Sequence, residues 1–104
     1  MELDGLGRFA DPAVLILSSL ADGDKHGYAL IRDIEGFARV TLGPGTLYGA
    51  LARLEERGLI EALPADDRRR PYRLTSAGSI ALRSYLQHAR DVTAVGLRRL
   101  AASS

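Results

Sequence analysis

Four arginines fall in six positions, Arg68, Arg69, Arg70 and Arg73. Guanidinium groups stay ionised and donate several hydrogen bonds, so such a run suits phosphate oxygens. A charge run is also an ordinary solvated face, and Asp66 and Asp67 stand beside this one, ready to pair with it. Other chemistry has little to work with. The chain has two histidines, His26 and His88, and no cysteine, so neither a thiolate nucleophile nor a three-ligand metal site is readable, and both histidines are expected to be structural or surface residues. The segment Gly43-Pro44-Gly45-Thr46-Leu47-Tyr48-Gly49 is glycine-rich but lacks the Gly-Lys-Ser/Thr ending of a nucleotide loop. No enzyme, cofactor or metal site is read. Tyr28 and Tyr85 could line a ligand pocket, although aromatics at helical spacing more often belong to a core.

A second constellation lies just upstream of the arginines. Leu47, Leu51 and Leu54 mark the buried stripe of a helix, whose other face presents Thr46, Tyr48, Gly49, Ala52 and Arg53. The small residues among these permit close approach to a groove, and the free amides at the helix start, with the Thr46 hydroxyl, suit a phosphate. Arg53 is the candidate base reader, because an arginine pairs bidentately with guanine, while Thr46 and Tyr48 are expected to hold backbone. Lys25, in an upstream turn, joins the expected DNA-contacting set with Thr46, Tyr48, Gly49, Arg53, Arg68, Arg69, Arg70 and Arg73.

These residues must be positioned by the rest of a 104-residue chain, which has room for one core. Asp11-Pro12 starts a helix running to about Ala21. Its Ala13 to Leu17 and Leu20 are apolar almost all round, which predicts protein on more than one side and hints at a partner chain. After the turn 22–27, the spacing of Tyr28, Ile31 and Ile34 with Leu30 predicts a short second helix ending at Gly36. A strand could follow over 37–42. The third helix ends at Gly58, where a left-handed glycine would let Leu59 fold back on Leu54. Segments 59–63 and 71–75 read as strands joined by a polar loop too long for a tight hairpin turn. From Ser76 to about Leu100 a long helix places Leu82, Leu86, Ala89, Val92 and Leu100 near one face. At about 24 residues it would reach about 36 Å, longer than so small a domain can cover, so its apolar side calls for another chain.

Charge sorts the same way. Through position 52 the chain carries four basic and seven acidic residues, and after it ten basic and six acidic, so an anionic partner should meet the second half. No apolar stretch approaches the roughly 20 residues of a membrane span, and the acidic start Met1-Glu2-Leu3-Asp4 does not read as an export signal. A cytoplasmic location is expected, which the lack of cysteine fits.

Helix, helix, turn, helix, two strands with a basic loop, then helix is the order of a winged helix-turn-helix. At the residue level, His26-Gly27-Tyr28-Ala29-Leu30, then Gly45-Thr46-Leu47-Tyr48-Gly49-Ala50-Leu51 with Leu54-Glu55, then Gly58-Leu59-Ile60 and Tyr72-Arg73-Leu74-Thr75-Ser76-Ala77-Gly78 resemble PadR-type transcriptional regulators over most of 11–80. The resemblance implies a homodimeric repressor that binds a palindromic operator in double-stranded DNA and is released by a small-molecule effector. It also implies that Thr46 and Tyr48 occupy recognition-helix positions and Arg68 to Arg70 the wing. Gly49 stands where that motif often has proline, and Gly43 where a serine or threonine cap is common. A single C-terminal helix and the absence of tryptophan resemble the family's short branch, which does not suit a pore for large flat ligands.

The expected fold is therefore mainly α with a small β-wing. An N-terminal extension (1–10) precedes a winged helix-turn-helix DNA-binding domain (11–75) and a long C-terminal dimerisation helix (76–104). Leu15, Leu82, Tyr85, Leu86, Ala89 and Val92 are the expected dimer-interface residues. The alternative is a winged helix that binds another protein and not DNA, in which the third helix would be covered.

Overall fold

The computed structural model describes residues 11–103, so the expected extension 1–10 lies outside the described residues. Helix α1 spans Pro12–Leu20, capped by the Asp11 carboxylate, which accepts from the Ala13 amide at 2.9 Å. Strand β1 is Lys25–His26, α2 is Gly27–Ala38, α3 is Pro44–Glu56, β2 is Ile60–Ala62, β3 is Pro71–Leu74 and α4 is Ser76–Ser103. Four helices and a small antiparallel sheet confirm the expected class, mainly α with a β-wing.

The sheet holds a strand that periodicity does not reveal. Its order is β1-β3-β2, with Lys25 opposite Tyr72 and His26 opposite Pro71 on one side of β3, and Ile60 opposite Leu74 on the other. The expected strand over 37–42 does not form. Helix α2 runs through Gly36 to Ala38 and stops only at Arg39, which takes a left-handed conformation (φ 58°). A single interior glycine weakens a helix without ending it.

The end of α3 follows the expectation. Gly58 has φ 74°, its amide donates to the Glu55 carbonyl and that of Leu59 to the Leu54 carbonyl, both at 3.0 Å. This paired closure needs a left-handed residue just past the helix, a conformation that glycine adopts without a Cβ penalty. Thr75 then joins the wing to α4: its hydroxyl donates to the Gly58 carbonyl at 2.7 Å and accepts from the Gly78 amide at 3.0 Å.

The core is built from Leu15, Ile16, Leu17 and Leu20 of α1, Leu30 and Ile34 of α2, Leu47, Ala50, Leu51 and Leu54 of α3, with Leu42, Ile60 and Leu82. Helix α1 packs against α2, α3, α4 and β3. Part of the protein expected around α1 is thus supplied by its own chain. Leu15 (4% exposed) and Leu82 (6%) are core residues of the single chain. Beyond Leu82, α4 leaves the core, and the molecule measures 56 × 28 × 20 Å. Along this outer part Leu86, Val92, Leu97 and Leu100 are exposed, while Tyr85 and Ala89 are half-buried. No helix among the described residues is long and apolar enough to cross a membrane.

Candidate nucleic-acid interface

Helix α3 begins at Gly43, which offers no side-chain cap, with Pro44 in the first turn. Gly43 thus leaves the first amides of α3 without a side-chain acceptor, as the departure at that position implied. On the face away from the core, Thr46, Tyr48, Ala52 and Arg53 are exposed and Gly49 is half-buried. Tyr48 and Arg53 are five residues apart, so they point about 140° apart around the axis and occupy opposite flanks of the face. The Arg53 guanidinium lies over Gly49, with Nη1 3.5 Å from where a β-carbon at 49 would stand. On that flank Arg53, Arg57 and Asp11 share a cavity of about 250 Å³ with Ala13, Ala50 and Leu54.

The Tyr48 flank faces the wing. The loop between β2 and β3 is tighter at its tip than its length suggested. Asp66 and Arg69 exchange both backbone hydrogen bonds, at 2.7 and 2.9 Å, around Asp67 (φ 52°) and Arg68 (φ 67°). Two consecutive left-handed residues make this the mirror-image turn that matches strand twist. The Leu63 amide donates to the Pro71 carbonyl at 2.9 Å, which continues the hairpin toward that turn.

The turn holds Arg68, Arg69 and Arg70 out as exposed residues. Among the described residues no carboxylate lies within 4.0 Å of any of the three, Asp66 and Asp67 included. Pairing with Asp66 and Asp67 was the feature that could have neutralised the run, and it is not made. Arg69 Nη1 lies 3.5 Å from His26 Nε2, and the other ring nitrogen of His26 caps α2 by accepting from the Ala29 amide at 3.5 Å. A cavity of about 300 Å³ results, lined by Arg68, Arg69 and Arg70 with His26, Gly27, Tyr28, Tyr48 and Tyr72. Burial pushes the Tyr72 hydroxyl up from its usual value, Glu55 and Tyr48 add to the shift, and Arg70 opposes it. The phenol is therefore a neutral donor at physiological pH.

Two expected contact residues are held elsewhere. Lys25 has a side chain only 17% exposed, and its ammonium donates to the Ser19 carbonyl and to Asp22 at 2.5 Å, with Asp33 at 3.9 Å. The hydrogen bond from Lys25 also holds the Asp22 carboxyl below its usual value. Arg73 lies between Glu61 (3.4 Å) and Asp24 (3.7 Å), because in β3 it stands opposite Glu61 and turns away from the cavity that Arg70 and Tyr72 line. In the other direction, the fold brings His26, Tyr28 and Tyr72 into the cluster, to which the sequence alone does not assign them. The antiparallel pairing of residues 25–26 with 71–72 is what brings them there, and only the shared motif blocks containing His26 and Tyr72 point that way.

The chain's similarities agree with this architecture. The profile of the transcriptional regulator PadR-like family matches residues 16–84. The chain is 51% identical over 71 residues to a 37.1 kDa protein in transposon Tn4556 of Streptomyces fradiae, a match that takes in 68% of the chain and 21% of that protein. It is 43% identical over 70 residues to the transcriptional regulator Rv3488 of Mycobacterium tuberculosis, covering 64% of each. The chain thus spans less than two thirds of the curated relatives it matches. A crystal structure of a PadR family transcription regulator from Clostridium difficile superposes with a TM-score of 0.77 at 29% identity, over 86% of this chain and 97% of that one.

Proposed function

Because the chain belongs to the PadR-like family of transcriptional regulators, we propose that it is a sequence-specific repressor that binds double-stranded DNA as a homodimer at a palindromic operator and is released by a small-molecule effector. The observation that carries this reading is the convergence, on one face, of the uncovered helix α3 with three wing arginines that have no carboxylate partner among the described residues. Guanidinium groups with no carboxylate partner, beside tyrosine hydroxyls, offer a phosphate both charge and hydrogen bonds. In this reading residues 11–75 bind DNA. Thr46 and Tyr48 hold backbone, Gly49 and Ala52 allow close approach, Arg53 reads a base, and Arg68 to Arg70 engage phosphates.

The rest of the chain serves assembly. Helix α4, residues 76–103, is the dimerisation element in this reading, through Tyr85, Leu86, Ala89 and Val92 and the exposed Leu97 and Leu100. A groove of about 380 Å³ at its base, with Leu74, Leu82 and Leu86 for apolar contact and Arg83 and Arg90 for an anionic group, is where an effector would lie. Such a ligand would sit between the DNA-binding unit and the partner, where it can bias one arrangement over another. A repressor of this kind acts in the cytoplasm.

The test is to sequence the genomic fragments that the purified protein retains. Enrichment of one palindromic motif is expected. Recovery of fragments with no common motif would overturn sequence-specific binding, and recovery of none would favour a winged helix that binds another protein.

A further inference from the structure

Gly27, the first residue of α2, is buried, and its backbone does not require a glycine. Only Gly23 and Gly58 take positive φ among the described glycines, so Gly27 has a conformation open to any residue, and alanine would be the better helix former there. What a side chain would meet is Tyr48. A β-carbon at 27 would stand 2.9 Å from Tyr48 Cζ and closer still to the hydroxyl oxygen, whereas Leu47 Cδ2, at 3.4 Å, is in ordinary contact. The obstacle is the far end of a side chain, so a β-carbon would displace the ring and leave the helix in place.

The position of that ring matters because Tyr48 lines the same cavity as His26, Tyr28, Tyr72 and the three wing arginines. We propose that Gly27 is a positioning residue for DNA binding: by lacking a side chain it lets Tyr48 lie against the start of α2, with its hydroxyl aimed at the phosphate that the wing arginines hold. This rests on the DNA-binding reading above. Gly27 itself touches no DNA, and its effect passes through Tyr48.

The experiment compares the full-length wild type, Gly27→Ala, Tyr48→Ala and the double variant. Affinity for a labelled random-sequence duplex is read by fluorescence anisotropy, and the Gly27–Tyr48 proximity by the nuclear Overhauser effect between the Gly27 α-protons and the Tyr48 ring. Each single variant is expected to bind roughly three- to tenfold more weakly, the value of about one hydrogen bond to phosphate, and the double variant no more weakly than Tyr48→Ala alone. Losses that multiply in the double variant, or a Gly27→Ala protein with wild-type affinity, would overturn the proposal. If Gly27→Ala does not fold, a folded double variant identifies the Tyr48 ring as the obstacle and supports it, while failure of both overturns it. A wild type that shows the Overhauser effect and yet binds no DNA would refute the DNA-binding reading and leave the packing relation standing.

Discussion

Ser19, buried near the end of α1, donates its hydroxyl to Asp33 Oδ2 at 2.5 Å, and Lys25 closes the same cluster by donating to the Ser19 carbonyl. One hydroxyl, one ammonium and two carboxylates thereby tie α1, the turn at 22–24, β1 and α2 together. Lys25 is thus held within the fold by Asp22 and the Ser19 carbonyl, and a structural role for it can be tested. Replacing it by methionine should lower stability by about 1.5–3 kcal/mol, the scale of hydrogen bonds to a charged group, or roughly 6–24 °C in melting temperature for a domain of this size. The dependence of DNA affinity on salt should not change. A flatter salt dependence at an unchanged melting temperature would return Lys25 to the DNA-contacting set.

Arg53 and Tyr48 lie on opposite flanks of α3, which separates their expected roles. Arg53→Ala should lose discrimination at a guanine-containing position in a binding-site selection, by about 1–3 kcal/mol, and the selected half-sites should lie about 34–36 Å apart, one helical turn. If wild type and variant recover the same palindrome with equal stringency at every base pair, Arg53 reads nothing and specificity comes from the rest of the helix or from DNA shape.

The proposed dimer is best tested on the outer part of α4. Cutting the chain after Gly78 would remove Leu82, a core residue, and so unfold the domain whatever its assembly. Val92 and Leu97 are 59% and 63% exposed and outside the core, so Val92→Asp with Leu97→Asp should leave the fold intact and abolish self-association, because two buried unpaired carboxylates cannot be accommodated at an interface. Sedimentation of the double variant should give a folded monomer. An unchanged dimer mass on dilution would move the interface elsewhere.

Much of this arrangement is legible in the residues. The leucine stripe of α3 and the glycine that ends it are local signals, and both are realised at Leu47, Leu51, Leu54 and Gly58. What periodicity cannot carry is pairing between distant segments. A two-residue strand such as Lys25–His26 has no period, so its pairing with β3, and with it the convergence of His26 and Tyr72 on the wing, emerges only in the fold. Lys25 and Arg73 read as free cations because charge in a chain does not reveal what faces it; Asp22, Asp33, Glu61 and Asp24 do. The all-round apolarity of α1 likewise states how much surface must be covered without saying by what.

The most direct measurement is the salt dependence of binding to random-sequence duplex, for the wild type and for the variant with Arg68, Arg69 and Arg70 all replaced by alanine. If the wing arginines act on phosphates, the wild type binds with a steep negative slope of log affinity against log salt. The variant then binds all sequences more weakly, with a slope flatter by roughly 0.9 for each phosphate that an arginine no longer neutralises. An identical slope in the two proteins would show that the wing does not touch DNA.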